Sequence, residues 1–128
     1  GASGDASSHV AWKANRGIGE MPSPLLYRSR LYFVRNGGMV TSYETGTGKV
    51  VLDRVRLGQL GLYVSSLVAA DGRIYAASES GTIVVFRAGD SLDVLARNDL
   101  GESITATPAI ARHKLYVRTA KHMWAFGD

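Results

Sequence analysis

Apolar residues along this chain come in short alternating runs, broken every few positions by glycine, asparagine, serine or a charged side chain. No stretch shows the 3.6-residue apolar interval of a helix, so the pattern predicts strands throughout and no helix. The runs also repeat. "SPLLYRSRLYFVRNGGMVTSY" from Ser23, "SLVAADGRIYAASESGTIVVF" from Ser66 and "TPAIARHKLYVRTAKHMWAF" from Thr107 each begin at Ser or Thr and reach an aliphatic-Tyr pair eight residues later. Those pairs, Leu31-Tyr32, Ile74-Tyr75 and Leu115-Tyr116, are 43 and then 41 residues apart. A spacing in the low forties is that of a four-stranded propeller blade.

Within each copy the predicted order is a short inner strand (Leu25 to Tyr27, Val68 to Ala70, Ala109 to Ala111), a polar turn, and a second strand carrying the aliphatic-Tyr pair. A turn at Asn36-Gly37-Gly38, Glu79-Ser80-Gly81 or Ala120-Lys121-His122 then leads to a third strand, Val40 to Tyr43, Ile83 to Phe86 or Met123 to Phe126. Asn-Gly and Ser-Gly supply the positive-φ positions that tight hairpins need. An outer strand follows in two copies, Val50 to Arg56 and Asp93 to Asp99, each ending in Leu-Gly (Leu57-Gly58, Leu100-Gly101). The expected fold is therefore all-β, with four-stranded antiparallel propeller blades, about three to the chain. Residues 23–58 are blade 1, 66–101 blade 2, and 107–127 the first three strands of blade 3. Residues 1–9, small and polar, read as a tag or linker, and 10–16 as an outer strand completing a neighbouring or last blade.

Gly46-Thr47-Gly48-Lys49 invites a phosphate-loop reading, which the flanking residues exclude. A Walker loop needs Gly five residues before Gly48 and Ser or Thr after the lysine, at the start of a helix. Tyr43 and Val50 stand there instead, and Val50-Val51-Leu52 is strand-like. The segment is expected to join the third and outer strands, with Gly46 and Gly48 serving backbone geometry and Lys49 exposed.

The same stretch carries a family resemblance. "SYETGTGKVVL", Ser42 to Leu52, is similar to the Ala-x-Asp-x-x-Thr-Gly-Lys-x-x-Trp signature of the PQQ-like, quinoprotein-type β-propeller repeat. Thr47, Gly48 and Lys49 match, Ser42 and Glu44 are conservative departures, and Leu52 replaces the docking tryptophan. In the second copy "VFRAGDSLDVL" keeps only a turn at Gly89-Asp90-Ser91, whereas Trp12 sits where an outer strand's tryptophan would sit. The resemblance implies that Leu52 and Trp12 pack between blades, alongside Tyr32, Tyr75 and Tyr116. It further implies a noncatalytic binding or scaffolding module of a bacterial periplasmic or extracytoplasmic compartment, with remnant or part of a PQQ-dependent dehydrogenase propeller as the alternative.

Candidate chemistry narrows these readings. The dehydrogenases that the resemblance evokes commonly place an adjacent Cys pair over the cofactor, and this chain has no Cys. Calcium needs clustered oxygen ligands, but Asp71, Asp90, Asp93 and Asp99 are dispersed or lie in turns. His9, His113 and His122 show neither metal-ligand spacing nor a flanking carboxylate pattern. The expectation is no enzyme, no cofactor and no metal. The net charge of +4 comes from arginines spread along the chain, not from one basic face interleaved with aromatics, so no nucleic-acid partner is expected. Arg28, Arg30, Arg35, Arg54, Arg56 and Arg118 read as solvated strand edges. No apolar run approaches the ~20 residues of a membrane-spanning helix.

Binding is then expected at the blade connections, Gly58 to Val64 and Gly101 to Ala106, with Leu62, Tyr63, Glu102 and Ser103 as candidates. Tyr63 reads equally as an inter-blade packing residue. The other expected partner is a second copy. Three blades are too few for a ring of 4–8, two chains would supply six, and Val10 to Asn15 of one copy would pair with Met123 to Phe126 of the other.

Overall fold

The computed structural model describes residues 23–104 and 106–127. Eleven strands form three antiparallel meanders, with no helix among the described residues. Blade 1 comprises β1 (Leu25–Tyr27), β2 (Arg30–Arg35), β3 (Met39–Glu44) and β4 (Val50–Arg56). Blade 2 comprises β5 (Val68–Ala70), β6 (Arg73–Ala77), β7 (Thr82–Arg87) and β8 (Asp93–Asp99), and blade 3 β9 (Ala109–Ala111), β10 (Lys114–Arg118) and β11 (Met123–Phe126). Each sheet runs in sequence order, as a meander must when every connection is a hairpin. Val10 to Asn15 and Trp12 lie outside the described residues.

Register makes the copies superimposable. Tyr32 pairs with Leu25, Tyr75 with Val68, and Tyr116 with Ala109. Because alternate residues in a strand face opposite sides, the two members of each pair lie on opposite faces of their blade: Tyr32 and Ile74 meet between blades 1 and 2, and Tyr75 and Leu115 between blades 2 and 3. The core accordingly consists of two clusters, each between blades. The first joins Tyr32, Val34, Val40, Leu52, Leu57 and Tyr63 to Ile74, Ala76, Val84 and Phe86 of blade 2. The second joins Ala77, Ile83, Val85 and Ile104 to Leu115 and Val117 of blade 3, with Tyr75, Trp124 and Phe126 packed against it. Blade 2 is thus covered on both faces, and Thr82 to Phe86 of β7 are all buried. Tyr32 is 1% exposed, and burial raises the pKa of its phenol; Tyr75 and Tyr116 are half-buried.

Polar links cross the same interfaces. Arg97 of β8 donates from Nη2 to the Leu57 carbonyl at 2.8 Å, and the Gly72 N–H donates to the Tyr27 hydroxyl at 2.7 Å. Between blades 2 and 3, the Ser65 hydroxyl donates to the Ala106 carbonyl and the Ser66 N–H to Thr107 Oγ1, both at 3.0 Å. Arg30 is not a solvated edge residue: Nη1 lies 2.7 Å from Oδ1 of Asp90, and the arginine side chain is only 23% exposed.

The turns explain two irregularities in the repeat. The hairpins after β1, β5 and β9 each turn on two residues with positive φ: Arg28 (51°) and Ser29 (62°), Asp71 (54°) and Gly72 (79°), Arg112 (50°) and His113 (65°). This is the type I′ geometry that matches strand twist, yet only the middle copy carries the expected Asp-Gly. In the other two, ordinary L-residues accept a conformation costing roughly 1–2 kcal/mol each. The unequal spacing of the copies lies in the blade connections. Leu57 N–H bonds the Gly38 carbonyl as Leu100 N–H bonds that of Gly81, whereas Leu62 O accepts from Glu79 N–H as Ser103 O accepts from Ala120 N–H. Two extra residues, Leu60-Gly61, therefore sit between these fixed points in the first connection.

The Gly46 to Lys49 segment is a connection between β3 and β4. Glu44 N–H donates to Lys49 O at 2.9 Å, Gly48 N–H to Glu44 O at 2.8 Å, and the Thr47 hydroxyl to Glu44 Oε1 at 3.1 Å. Gly48 has φ of 76°, but Gly46 has no positive φ and nothing within 4 Å of an added Cβ. Only Gly48, then, is required by backbone geometry. Lys49 is exposed, and Leu52 is 4% exposed within the cluster between blades 1 and 2.

Candidate interaction surface at the blade connections

The first connection is held from both sides. Asn36, at the tip of the β2–β3 hairpin, accepts from the Tyr63 N–H through Oδ1 at 2.9 Å, and the Gly37 N–H donates to Gly61 O at 2.7 Å. Tyr63 is fully buried and its hydroxyl donates to the Gln59 carbonyl at 2.6 Å. Of its two readings the packing one describes its position: a side chain with no exposed area cannot offer a partner its ring. Burial pushes the phenol up to about 12, with Arg97 opposing. What the connection presents to solvent is Leu60, 69% exposed, and Leu62, 48% exposed. Both protrude from a backbone whose polar groups are bonded inward, so they are displayed on a braced loop.

The second connection is shorter and polar. The Glu102 carboxylate accepts from the Thr119 hydroxyl through Oε1 and lies 2.9 Å from Nδ1 of His122 through Oε2. Trp124 Nε1–H donates to Thr119 Oγ1 at 2.9 Å, extending the chain of bonds from the blade 3 hairpin into the sheet. The hydrogen bonds from Thr119 and His122 hold the Glu102 carboxyl below the usual carboxylate range. Ser103 is exposed beside it, while Ile104 is buried in the second cluster at the place that Tyr63 takes in the first. Thr119, His122 and Trp124 were not among the expected site residues, because Thr119 and His122 meet Glu102 across 17 and 20 residues, with no local sequence signal, and Trp124 joins only through Thr119. The Leu60-Gly61 insertion, by contrast, was detectable as the difference between spacings of 43 and 41 residues.

A depressed carboxylate pKa contributes stability that is present above the unfolded-state value, about 4.3, and is lost as pH falls through the folded value. Wild type should therefore exceed Glu102→Gln in urea midpoint at pH 6–7, and the gap should shrink as pH drops below about 4.5. A pH-independent gap would remove the carboxylate from the account.

Two blades of four strands and a third sheet of three, packed face to face through apolar inter-blade clusters, define the chain as β-propeller in fold. Two solved structures align over 80% of it. One is BamB from Moraxella catarrhalis, a PQQ-like β-propeller, at TM-score 0.64 and 13% identity; the other is the computationally designed Ika8 protein, at TM-score 0.62 and 15% identity. The chain spans 29% and 31% of their respective lengths, so the likeness is to an arc of each. No family model matches the sequence, and no curated protein does.

Proposed function

We propose that the chain is a noncatalytic propeller module that binds or assembles, and that its first partner is a second copy of itself. The observation carrying this is the outer edge of blade 3. Among the described residues β11 pairs only with β10, whereas β4 and β8 complete the other two sheets. An open strand edge is a template for a further strand, and Met123 on it is 67% exposed. Val10 to Asn15 of the second copy supplies that strand and carries Trp12 to the junction, giving a closed two-fold ring of six blades, within the usual range of 4–8. Leu60 and Leu62 on the first connection then offer the ring an apolar contact for a protein partner.

The test is the solution mass of the 128-residue chain at micromolar concentration, with and without residues 1–22. A dimer that dissociates when those residues are deleted is expected. A monomeric mass for the intact chain, or a dimer indifferent to the deletion, would overturn the self-association.

A further inference from the structure

The repeat offers an internal comparison between the two inter-blade spaces. Between blades 1 and 2, at the end marked by the β5–β6 turn, the space is occupied by Tyr27: its ring packs against the first cluster and its hydroxyl accepts from the Gly72 N–H at 2.7 Å. One blade further on, the 43-residue offset puts Ala70 at the position of Tyr27, and the 41-residue offset puts His113 at that of Gly72. A methyl group replaces a phenol. Asn98, opposite Ile83, likewise replaces Val55, opposite Val40. The space left between blades 2 and 3 is a cavity of about 400 Å³, lined by Ala70 and His113. This lies within the roughly 300–1,000 Å³ of small-molecule sites.

The lining is sorted by chemistry. Ile83, Leu115 and Phe126 form an apolar floor, the first two buried. Arg73, which shares the face of Tyr75, also lines the cavity, and Asp71 does so with its carboxylate 3.7 Å from His113 Nδ1; Lys114, also at the lining, alternates with Leu115 and so belongs to the far face of β10. One guanidinium, that of Arg73, and one carboxylate, that of Asp71, thus border the cavity.

We propose that this cavity is a binding site for a small aromatic acid: a phenol-sized ring lies where the preceding interface holds the Tyr27 ring, and its carboxylate is met by Arg73. The site lies between blades of one chain and does not depend on ring closure.

Titration of the intact chain with 4-hydroxyphenylacetate, followed by amide NMR shifts, should saturate with a Kd of about 1 mM or tighter, the largest shifts falling at Ala70, His113 and Leu115. Ala70→Tyr rebuilds the Tyr27 arrangement; it should raise the melting temperature and weaken binding by about tenfold or more. Arg73→Gln should weaken the acid several-fold and leave the neutral analogue p-cresol unchanged, a comparison that holds even if the tyrosine variant folds poorly. Absence of saturable shifts, unchanged affinity in folded Ala70→Tyr, or equal loss of both probes in Arg73→Gln would each overturn the assignment.

Discussion

Phe86→Ala is expected to destabilise the chain by about 3–5 kcal/mol, the range for deleting a buried aromatic ring. Phe86 has no exposed area and lies on β7 in the middle of its sheet, paired with Ile74 on one side and Val94 on the other. Its ring centroid is 6.5 Å from that of Tyr32 in blade 1, tilted by 60°, so the side chain bridges two blades. Truncation opens a void between sheets whose spacing is set by other residues of the same cluster, which limits collapse around it. Against a total stability of about 5–15 kcal/mol, that loss is a third or more for many domains. Urea unfolding measures it, with Leu60→Ala as the comparison. At 69% exposure Leu60 should change stability by no more than about 0.5 kcal/mol. A loss below about 1 kcal/mol for Phe86→Ala would mean that the interface between blades 1 and 2 is not close-packed.

Gly81→Ala is expected to cost about 2–3 kcal/mol or more, through backbone strain and collision together. Gly81 has φ of 110°, well outside the region that L-residues visit, and an added Cβ would come 2.2 Å from the Glu102 carbonyl oxygen. That oxygen is backbone, so it cannot swing aside as a long side chain could. Its position is fixed because Leu100 N–H bonds the Gly81 carbonyl as the chain leaves β8, and Ile104 N–H bonds Glu79 O as it enters the next blade. Gly46→Ala is the contrasting case. With no positive φ and open space around it, the variant should be neutral or stabilising by up to about 1 kcal/mol, through the unfolded state. Chemical denaturation of the pair distinguishes the two glycines; equal effects would contradict the geometry assigned to Gly81.

The contrast shows where reading a sequence stops. Gly46 and Gly81 look alike in it, each beside a Ser, Thr or Gly in a turn-forming cluster. What distinguishes them is the approach of Glu102, which is 21 residues from Gly81. Tyr63 follows the same logic: an aromatic in a predicted loop reads as display or packing, and the wedge formed by Asn36, Gly38 and Gln59 buries it. The Glu102, Thr119, His122 and Trp124 cluster was illegible because it joins a blade connection to the hairpin and sheet of the following blade.

The amino-acid sequence by itself determined the all-β class, the three copies, the bounds of the inner and outer strands, and the equivalence of Tyr32, Tyr75 and Tyr116. These follow from period-two alternation and turn chemistry, which act within a few residues along the chain. Tertiary structure alone decided that Arg28, Ser29, Arg112 and His113 adopt positive φ, because the twist of the flanking strands outweighs the local preference of those residues. It also decided which leucines are displayed, with Leu57 buried and Leu60 exposed three residues later, and where a ring-sized space remains between blades. Burial at an interface depends on what the neighbouring sheet brings to it, and that sheet is some forty residues away in the chain.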